Sequence, residues 1–432
     1  MRVRIVLAAC ACLLARAQFN DLATDRHGTR VLFSSSLSLQ SDPLQDWRKL
    51  FEASPASLRT FLSLDPGYDL TEFTQKEPNF FRLQKPELSS DGLTTVWTGQ
   101  RYCRGGSGCF LFEGYAATVR RIGVPDLLRL GTGRLSANGR WVLFSGWAQQ
   151  MVRQGYIDLS TGKEYEIPQR SLSLAGTGRR VVANDGTAVF GSLDPGLHLM
   201  RPGEPVSVIE GPPAIAHAVI DDNARFAVYQ AGGEWPWLGL VDLYTNENFL
   251  VAAAAEGCTN PALSEDGTRL LFLSGANWEA RNDGLAPQAW IMDLITGRLH
   301  QATAEPGGIA EATLSGDGLT VFAATYRGSL LKVDLLSGES SELVPPTPSF
   351  FLSVAYSNPG ATLHLDGSGL LGAQLSLDGQ DIPALAGDMR SIEFQVPPST
   401  PAGAHVLEVR TDASSFRPAR LALDVEVLPV SN

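Results

Sequence analysis

The sequence predicts an all-β protein: a β-propeller followed by a small β-sandwich. Two recurrent phrases and one break in the pattern carry that prediction. The first phrase is an apolar-Ser step ending in a tight turn, as in Leu88-Ser89-Ser90-Asp91-Gly92, Leu135-Ser136-Ala137-Asn138-Gly139, Leu263-Ser264-Glu265-Asp266-Gly267 and Leu314-Ser315-Gly316-Asp317-Gly318. The second is Asp158-Leu159-Ser160-Thr161-Gly162, repeated as Asp242-Leu243-Tyr244-Thr245-Asn246, Asp293-Leu294-Ile295-Thr296-Gly297 and Asp334-Leu335-Leu336-Ser337-Gly338. Two tight turns per unit, each flanked by β-prone apolar residues, make four short strands, and a series of such units closes as a propeller. The break is Pro345-Pro346-Thr347-Pro348, a stiff linker beyond which the phrases stop.

Each element follows from its residues. Asp-Gly and Asn-Gly permit the positive φ of a tight hairpin, so they join the first and second strands. Second strands are strongly apolar, as in Trp141-Val142-Leu143-Phe144 and Leu270-Leu271-Phe272-Leu273. Third strands run into the Asp-Leu phrase, as Gln288-Ala289-Trp290-Ile291-Met292 does, and fourth strands follow its Gly or Asn. Turn residues at Gly28, Gly92, Gly139, Gly178, Asn223, Gly267 and Gly318 give seven blades, with six or eight as alternative counts. Residues 65–84 read as an insertion within the longest interval. After the linker, strand-and-turn signals at 361–365, 373–377, 392–396 and 405–410, with a turn at Asp378-Gly379, predict the sandwich. The expected domains are therefore a leader at 1–17, the propeller at 18–344, a linker at 345–349 and the sandwich at 350–432.

The N-terminus reads as a secretory signal. Arg2 and Arg4 precede an apolar stretch at 5–14, and Ala15-Arg16-Ala17 is a small-x-small cleavage pattern, placing the cut before Gln18. A lipoprotein box at Leu7-Ala8-Ala9-Cys10 is the minor alternative, since the apolar run before Cys10 is short. No later apolar run reaches the roughly 18 residues of a membrane helix. The chain is expected in the periplasm or outside the cell. Its formal net charge is −12, more negative once Arg2, Arg4 and Arg16 leave with the signal, which disfavours nucleic acid and anionic lipid as partners. Of five cysteines, Cys10 and Cys12 leave too. Cys103 and Cys109 flank a Gly-rich stretch and are candidates for a local disulfide, whereas Cys258 is expected to be buried and free. Their spacing does not fit zinc, and neither metal nor cofactor is expected.

The Leu-Ser-x-Asp-Gly turn followed by Asp-Leu-x-Thr-Gly resembles the WD40-like repeats of the TolB-type propeller family over residues 19–344. That resemblance implies protein-binding scaffolds of the bacterial envelope and the propellers of some peptidases, although no peptidase domain accompanies it here. Asp366-Gly367-Ser368-Gly369-Leu370 and the stretch from Phe394 to Gly403 resemble immunoglobulin-like domains of the TIG type, and are similar to a C-terminal domain recurrent in secreted acidobacterial proteins. This second resemblance implies no chemistry.

Both phrase turns lie at one end of each unit, so the longer loops between second and third strands lie at the other, where binding groups usually reside. They carry Arg101, Tyr102, Trp147, Trp235, Trp237, Trp278, Arg281, Tyr326 and Arg327, residue types favoured at recognition surfaces. The competing reading is that the tryptophans pack between blades. Counting seven residues back from each turn position gives Asp21, Lys85, Thr132, Ser171, Ala216, Asn260 and Glu311 as channel-lining candidates, with His217 beside them. Such a ring could hold a ligand, an ion or only water. No Gly-x-Ser-x-Gly elbow, phosphate loop or EF-hand pattern is present, so no catalytic residue is assigned. The sequence thus points to a monomeric, non-catalytic module that binds a protein, peptide or glycan. A propeller hydrolase or lyase acting on carbohydrate at the channel mouth, and a structural envelope protein, are the competing readings.

Overall fold

The computed structural model describes residues 19–35, 49–60, 81–103, 106–115, 118–122, 129–148, 151–167, 180–191, 195–212, 215–233, 235–344, 349–352, 356–368, 373–387, 391–410 and 419–425. Residues 1–17, expected to be a leader, and residues 345–348 of the expected linker fall outside them. All regular elements among the described residues are strands. The chain divides into two compact units, one made of Phe19–Ala324 and Leu331–Leu343, the other containing Val344–Asn432.

Among the described residues seven sheets follow one another before the expected linker, at residues 19–60, 81–122, 129–166, 188–209, 215–252, 259–301 and 309–344. Each is an antiparallel meander of neighbouring strands, four in every sheet but the fourth. That sheet has three, with its first strand reduced to the single bridge Val182–Ala188. First strands of successive sheets pack side by side. Phe19–Thr24 lies on Phe81–Leu88, Thr259–Leu263 on Ile309–Leu314, and Ile309–Leu314 back on Phe19–Thr24, which closes a ring.

The two phrases are one stitched device. In Leu263-Ser264-Glu265-Asp266-Gly267, the buried Ser264 hydroxyl donates to Asp266 at 2.6 Å and accepts the Arg269 amide at 3.0 Å. Gly267 adopts φ 70° and donates its amide to the Ser264 carbonyl. Ser89, Ser136 and Ser315 repeat this arrangement. The second turn docks on the first, since Leu159, Leu243, Leu294 and Leu335 donate their amides to the carbonyls of Arg140, Arg225, Thr268 and Leu319. A Ser264→Ala variant is expected to lose about 1–3 kcal/mol in chemical denaturation, because the half-buried Arg269 amide loses its acceptor. An unchanged midpoint would contradict the assignment.

Second strands read as continuous apolar runs because both their faces are covered. In Arg269–Ser274, Leu270 and Phe272 join Val219, Val228 and Leu238 of the preceding sheet, whereas Leu271 and Leu273 join Ile309, Leu314 and Val321 of the following one. Fourth strands are largely exposed, as in Lys163–Glu166 and Glu247–Ala252.

Three sequence expectations change. The fourth unit turns at Ala183-Asn184-Asp185-Gly186, with Gly186 at φ 89°; the expected turn residue Gly178 lies outside the described residues. In the fifth, Ala224 and not Asn223 takes the positive φ, at 55°. Residues 81–84, read as part of an insertion, belong to the inner strand Phe81–Leu88, while residues 65–80 lie outside the described set.

The second unit has two sheets. One orders Ser349–Leu352, Thr362–Ser368, Ser391–Gln395 and Ala384–Gly387; the other orders Tyr356–Ser357, Ala419–Val425, Gly403–Arg410, Gln374–Leu377 and Gln380–Ile382. Leu363, Leu365, Ile392 and Phe394 of the first sheet meet Leu375, Leu377, Leu407 and Val409 of the second in one core, the arrangement of a β-sandwich.

Candidate functional site

The long-loop end of the fifth and sixth sheets presents the aromatic residues that the sequence singled out, and the structure sorts them. Trp235 stands 61% exposed in the connection between Phe226–Ala231 and Trp237–Asp242. Its support is firm. The Pro236 carbonyl accepts the Cys258 amide at 2.7 Å, and a side chain at Gly257 would press on the Pro236 ring. Trp237 is half-buried and meets Tyr229 edge-on at 5.8 Å, and the Tyr229 hydroxyl donates to Asn248 at 2.8 Å. Trp278 is 41% exposed, but its ring lies edge-on against the buried Trp290 at 4.9 Å, so it is largely a packing residue. Arg281 pairs with Glu279 at 3.6 Å, and Glu279 also meets His300 of the outer strand Leu299–Gln301, which carries this loop toward the rim.

Tyr326 and Arg327 occupy the tight turn between Thr320–Thr325 and Leu330–Asp334, half-buried and exposed respectively. Arg101 and Tyr102 lie in the strand Thr94–Cys103, and Trp147 in Trp141–Ala148. These are ends of long hairpins, not the loops the sequence suggested. Their side chains are outside the described set, as are those of Lys85, Thr132, Cys103 and Cys109; Ser171 is outside it altogether. The hairpin register sets Cys103 opposite Gly106 and Cys109 opposite Gln100, so the two cysteines are not cross-strand partners. Cys258 is free and buried, and burial pushes its thiol up to about 11.

Four of the channel-lining candidates fall at bulge positions. Register shifts fall between Asn20 and Ala23, Gln84 and Glu87, Ile215 and His217, and Thr259 and Ala262. These intervals contain Asp21, Lys85, Ala216 and Asn260. Asp21 and Asn260 take φ 58° and 53°, and their amides are held by the preceding blade in the ring. Glu311 of the last sheet accepts the amides of Asp21 and Leu22 in the first, both at 2.9 Å, and Gln230 accepts that of Asn260 at 3.1 Å. Asp21 also accepts the Ser34 hydroxyl at 2.9 Å. Glu311 therefore closes the ring. His217 sits half-buried on the inner strand Ile215–Ile220; burial, and secondarily the positive charge of Arg134, push its pKa below the ordinary histidine value. Arg134 itself forms a buried pair with Glu87.

Sequence reasoning missed a charged knot at the opposite end. The residue before the Asp or its equivalent in each first turn is Arg26, Ser90, Ala137, Asn184, Asp222, Glu265 or Gly316. Hydrogen bonds link these turns in a closed circuit: Arg26 amide to Ser90 carbonyl, Ser90 to Ala137, Asn138 to the Asn184 side chain, Asn184 to Asp222, Asp222 to Glu265, Glu265 to Gly316, and Asp317 to Arg26. Inside the circuit Glu265 accepts from Ser90 and lies 3.5 Å from Arg26 and 3.4 Å from Arg180. It thus ties its own blade to three others. The signal was present in the variable column of the Leu-Ser-x-Asp-Gly phrase, where one copy carries Glu and the next carries Gly.

No protein-family model matches the chain, and no curated protein sequence does. Among solved structures, an oligogalacturonate lyase in complex with manganese is similar at TM-score 0.50 and 14% identity, over 76% of this chain and 90% of that one. The oligogalacturonate lyase of Vibrio parahaemolyticus is similar at TM-score 0.50 and 12% identity, over 72% and 87%. TolB from Acinetobacter baumannii gives TM-score 0.41 and 13% identity, over 65% and 84%. Likeness at these identities speaks for the fold alone: the chain is a β-propeller protein. No described helix is long and apolar enough to cross a membrane.

Proposed function

We propose that this protein is a secreted or periplasmic binding module with a seven-bladed propeller and an immunoglobulin-like C-terminal domain, and that it recognises a protein, peptide or glycan through the long-loop end of the propeller. The observation that carries this reading is Trp235, an exposed indole on a braced loop. A rigid aromatic platform of this kind binds a sugar ring or an apolar peptide side chain without first being ordered. Trp237 and Pro236 brace it, and Trp278 contributes its exposed edge. The TolB-type resemblance favours the same reading.

Binding of the purified protein to glycan and envelope-protein arrays tests it. Trp235→Ala is expected to abolish a hit while leaving the melting temperature unchanged, since the side chain buries little. A hit that survives in Trp235→Ala would move the site elsewhere. One observation favours a second reading, an enzyme at the channel. His217 is held neutral on the inner strand near Arg134, a state suited to a general base. That reading requires a turnover that His217→Ala removes.

A further inference from the structure

The charged knot has more carboxylates than its guanidiniums can serve. Arg180 places Nη1 3.4 Å from Glu265 and 3.8 Å from Asp222, and a second nitrogen 3.4 Å from Glu265. Asp222 is also faced by Asn184, whose side-chain nitrogen lies 3.4 Å away, and by the neighbouring Asp221, whose carboxylate accepts the Arg225 and Phe226 amides. Glu265 is faced in addition by Arg26, more than half exposed, and by the Ser90 hydroxyl. Next along the circuit, Asp317 pairs with His27 at 3.2 Å. Glu265 reaches its partners only because residue 316 is glycine, since a β-carbon there would collide with the carboxylate and lie 2.9 Å from the Arg26 Cα. Arg180, Asp222 and Glu265 are mostly buried, so little water is available to separate the two anions.

We propose that this knot is a proton-operated latch. With a proton on Asp222, Arg180 locks onto Glu265, which holds the turns of four blades together. When that proton leaves, Asp222 competes with Glu265 for Arg180, Glu265 is left with the exposed Arg26, and this end of the ring loosens. The latch acts at the end opposite Trp235 and does not depend on what Trp235 binds.

The titration of Asp222 supports the geometry. Burial first, and then the charges of Glu265 and Asp221, outweigh the pull of Arg180 and push it up to about 7. Burial raises Asp221 as well. An acid whose native pKa lies above its unfolded value binds more protons when folded. Its contribution to stability is therefore present at low pH and is lost as pH rises from the ordinary carboxylate range through about 7. His217, with its pKa lowered, works in the opposite direction over part of that window, so the readout is the difference between wild type and an Asp222 variant.

The test is the unfolding equilibrium of the full chain from pH 5 to pH 8, in wild type and Asp222→Asn. The wild-type folding constant is expected to fall, relative to the variant, by up to about tenfold per pH unit below the Asp222 pKa. Parallel profiles would overturn the proposal. Hydrogen exchange of the wild type is the second measurement and does not require the variant to fold. After correction for intrinsic rates, the circuit amides of Arg26, Ser90 and Glu265 are expected to open more readily at pH 8 than at pH 5.5, by a larger factor than that of Leu271 in the blade interior. Equal protection of the circuit amides at both pH values would overturn it.

Discussion

Trp290→Ala is expected to destabilise the propeller by about 3–5 kcal/mol, the largest single loss among its aromatic residues. The indole is fully buried on the third strand of the sixth sheet, where it joins Phe272 and Leu270 of its own sheet with Val219, Val228 and Leu238 of the fifth. Its ring N–H donates to the Ser274 carbonyl at 3.3 Å, so removal also leaves a buried carbonyl with one donor fewer. The cavity would open between two blades whose inner strands are fixed by the ring, which limits how far they can collapse into it. Trp278 rests edge-on against this indole and is expected to become more exposed in the variant, visible as a red shift of its fluorescence. Chemical denaturation checks the first expectation. A loss near zero would mean that the interface between these blades is not packed as described, and would reopen Trp278 as a free recognition residue.

The contrast between Trp290, Trp278 and Trp235 marks how far the sequence could be read. The repeat phrases specify local chemistry, a buried Ser, a capping Asp and a positive-φ Gly, and so they located most turns. They failed where the chemistry is substituted. Asp221 does the work of the turn serine by accepting two amides, and Ala224 takes the left-handed conformation without being glycine. In the fourth unit the phrase shrinks to Ala183-Asn184-Asp185-Gly186, and the better-looking Gly178 drew the reading away. Whether an aromatic side chain faces solvent depends on which neighbouring blade covers it, and that information is spread over residues distant in sequence. Gln100-Arg101-Tyr102 looked like a loop for a related reason. Hairpins that extend beyond the blade and loops carry similar residues, and only strand pairing separates them.

The channel candidates show a task that the count could not reveal. Counting back from the turns reached a column where a β-bulge recurs, and at Asp21 and Asn260 the bulge turns the backbone amides toward the neighbouring blade. Pro86 and Pro261 fit that position because a bulge needs no ladder donor. Glu311, read from the sequence as a channel-lining candidate, accepts the amides of Asp21 and Leu22. A second column that links the blades lies at the turns themselves. There Glu265 opposite Gly316 is a size complement that the repeat alignment displays only when its variable position is read across blades.

The pair of Glu87 and Arg134 gives the second large effect. Both side chains are nearly inaccessible, at 6% and 12%, and they join the inner strands Phe81–Leu88 and Arg129–Leu135 of neighbouring blades. Glu87→Ala is expected to cost about 3–5 kcal/mol, because it removes the carboxylate while leaving a buried guanidinium that water reaches poorly. If that is the origin of the loss, then Glu87→Ala combined with Arg134→Met should recover much of it, since the charge leaves along with its partner and methionine fills the space. The same double variant has a spectroscopic consequence. Burial remains the main cause of the lowered His217 pKa, but the contribution of Arg134 disappears, so the imidazole should titrate closer to its ordinary value in an NMR experiment. A double variant no more stable than Glu87→Ala would show that the pair matters through its packing and not its charge. A His217 titration unchanged by Arg134→Met would show that the two inner strands do not face each other across the ring.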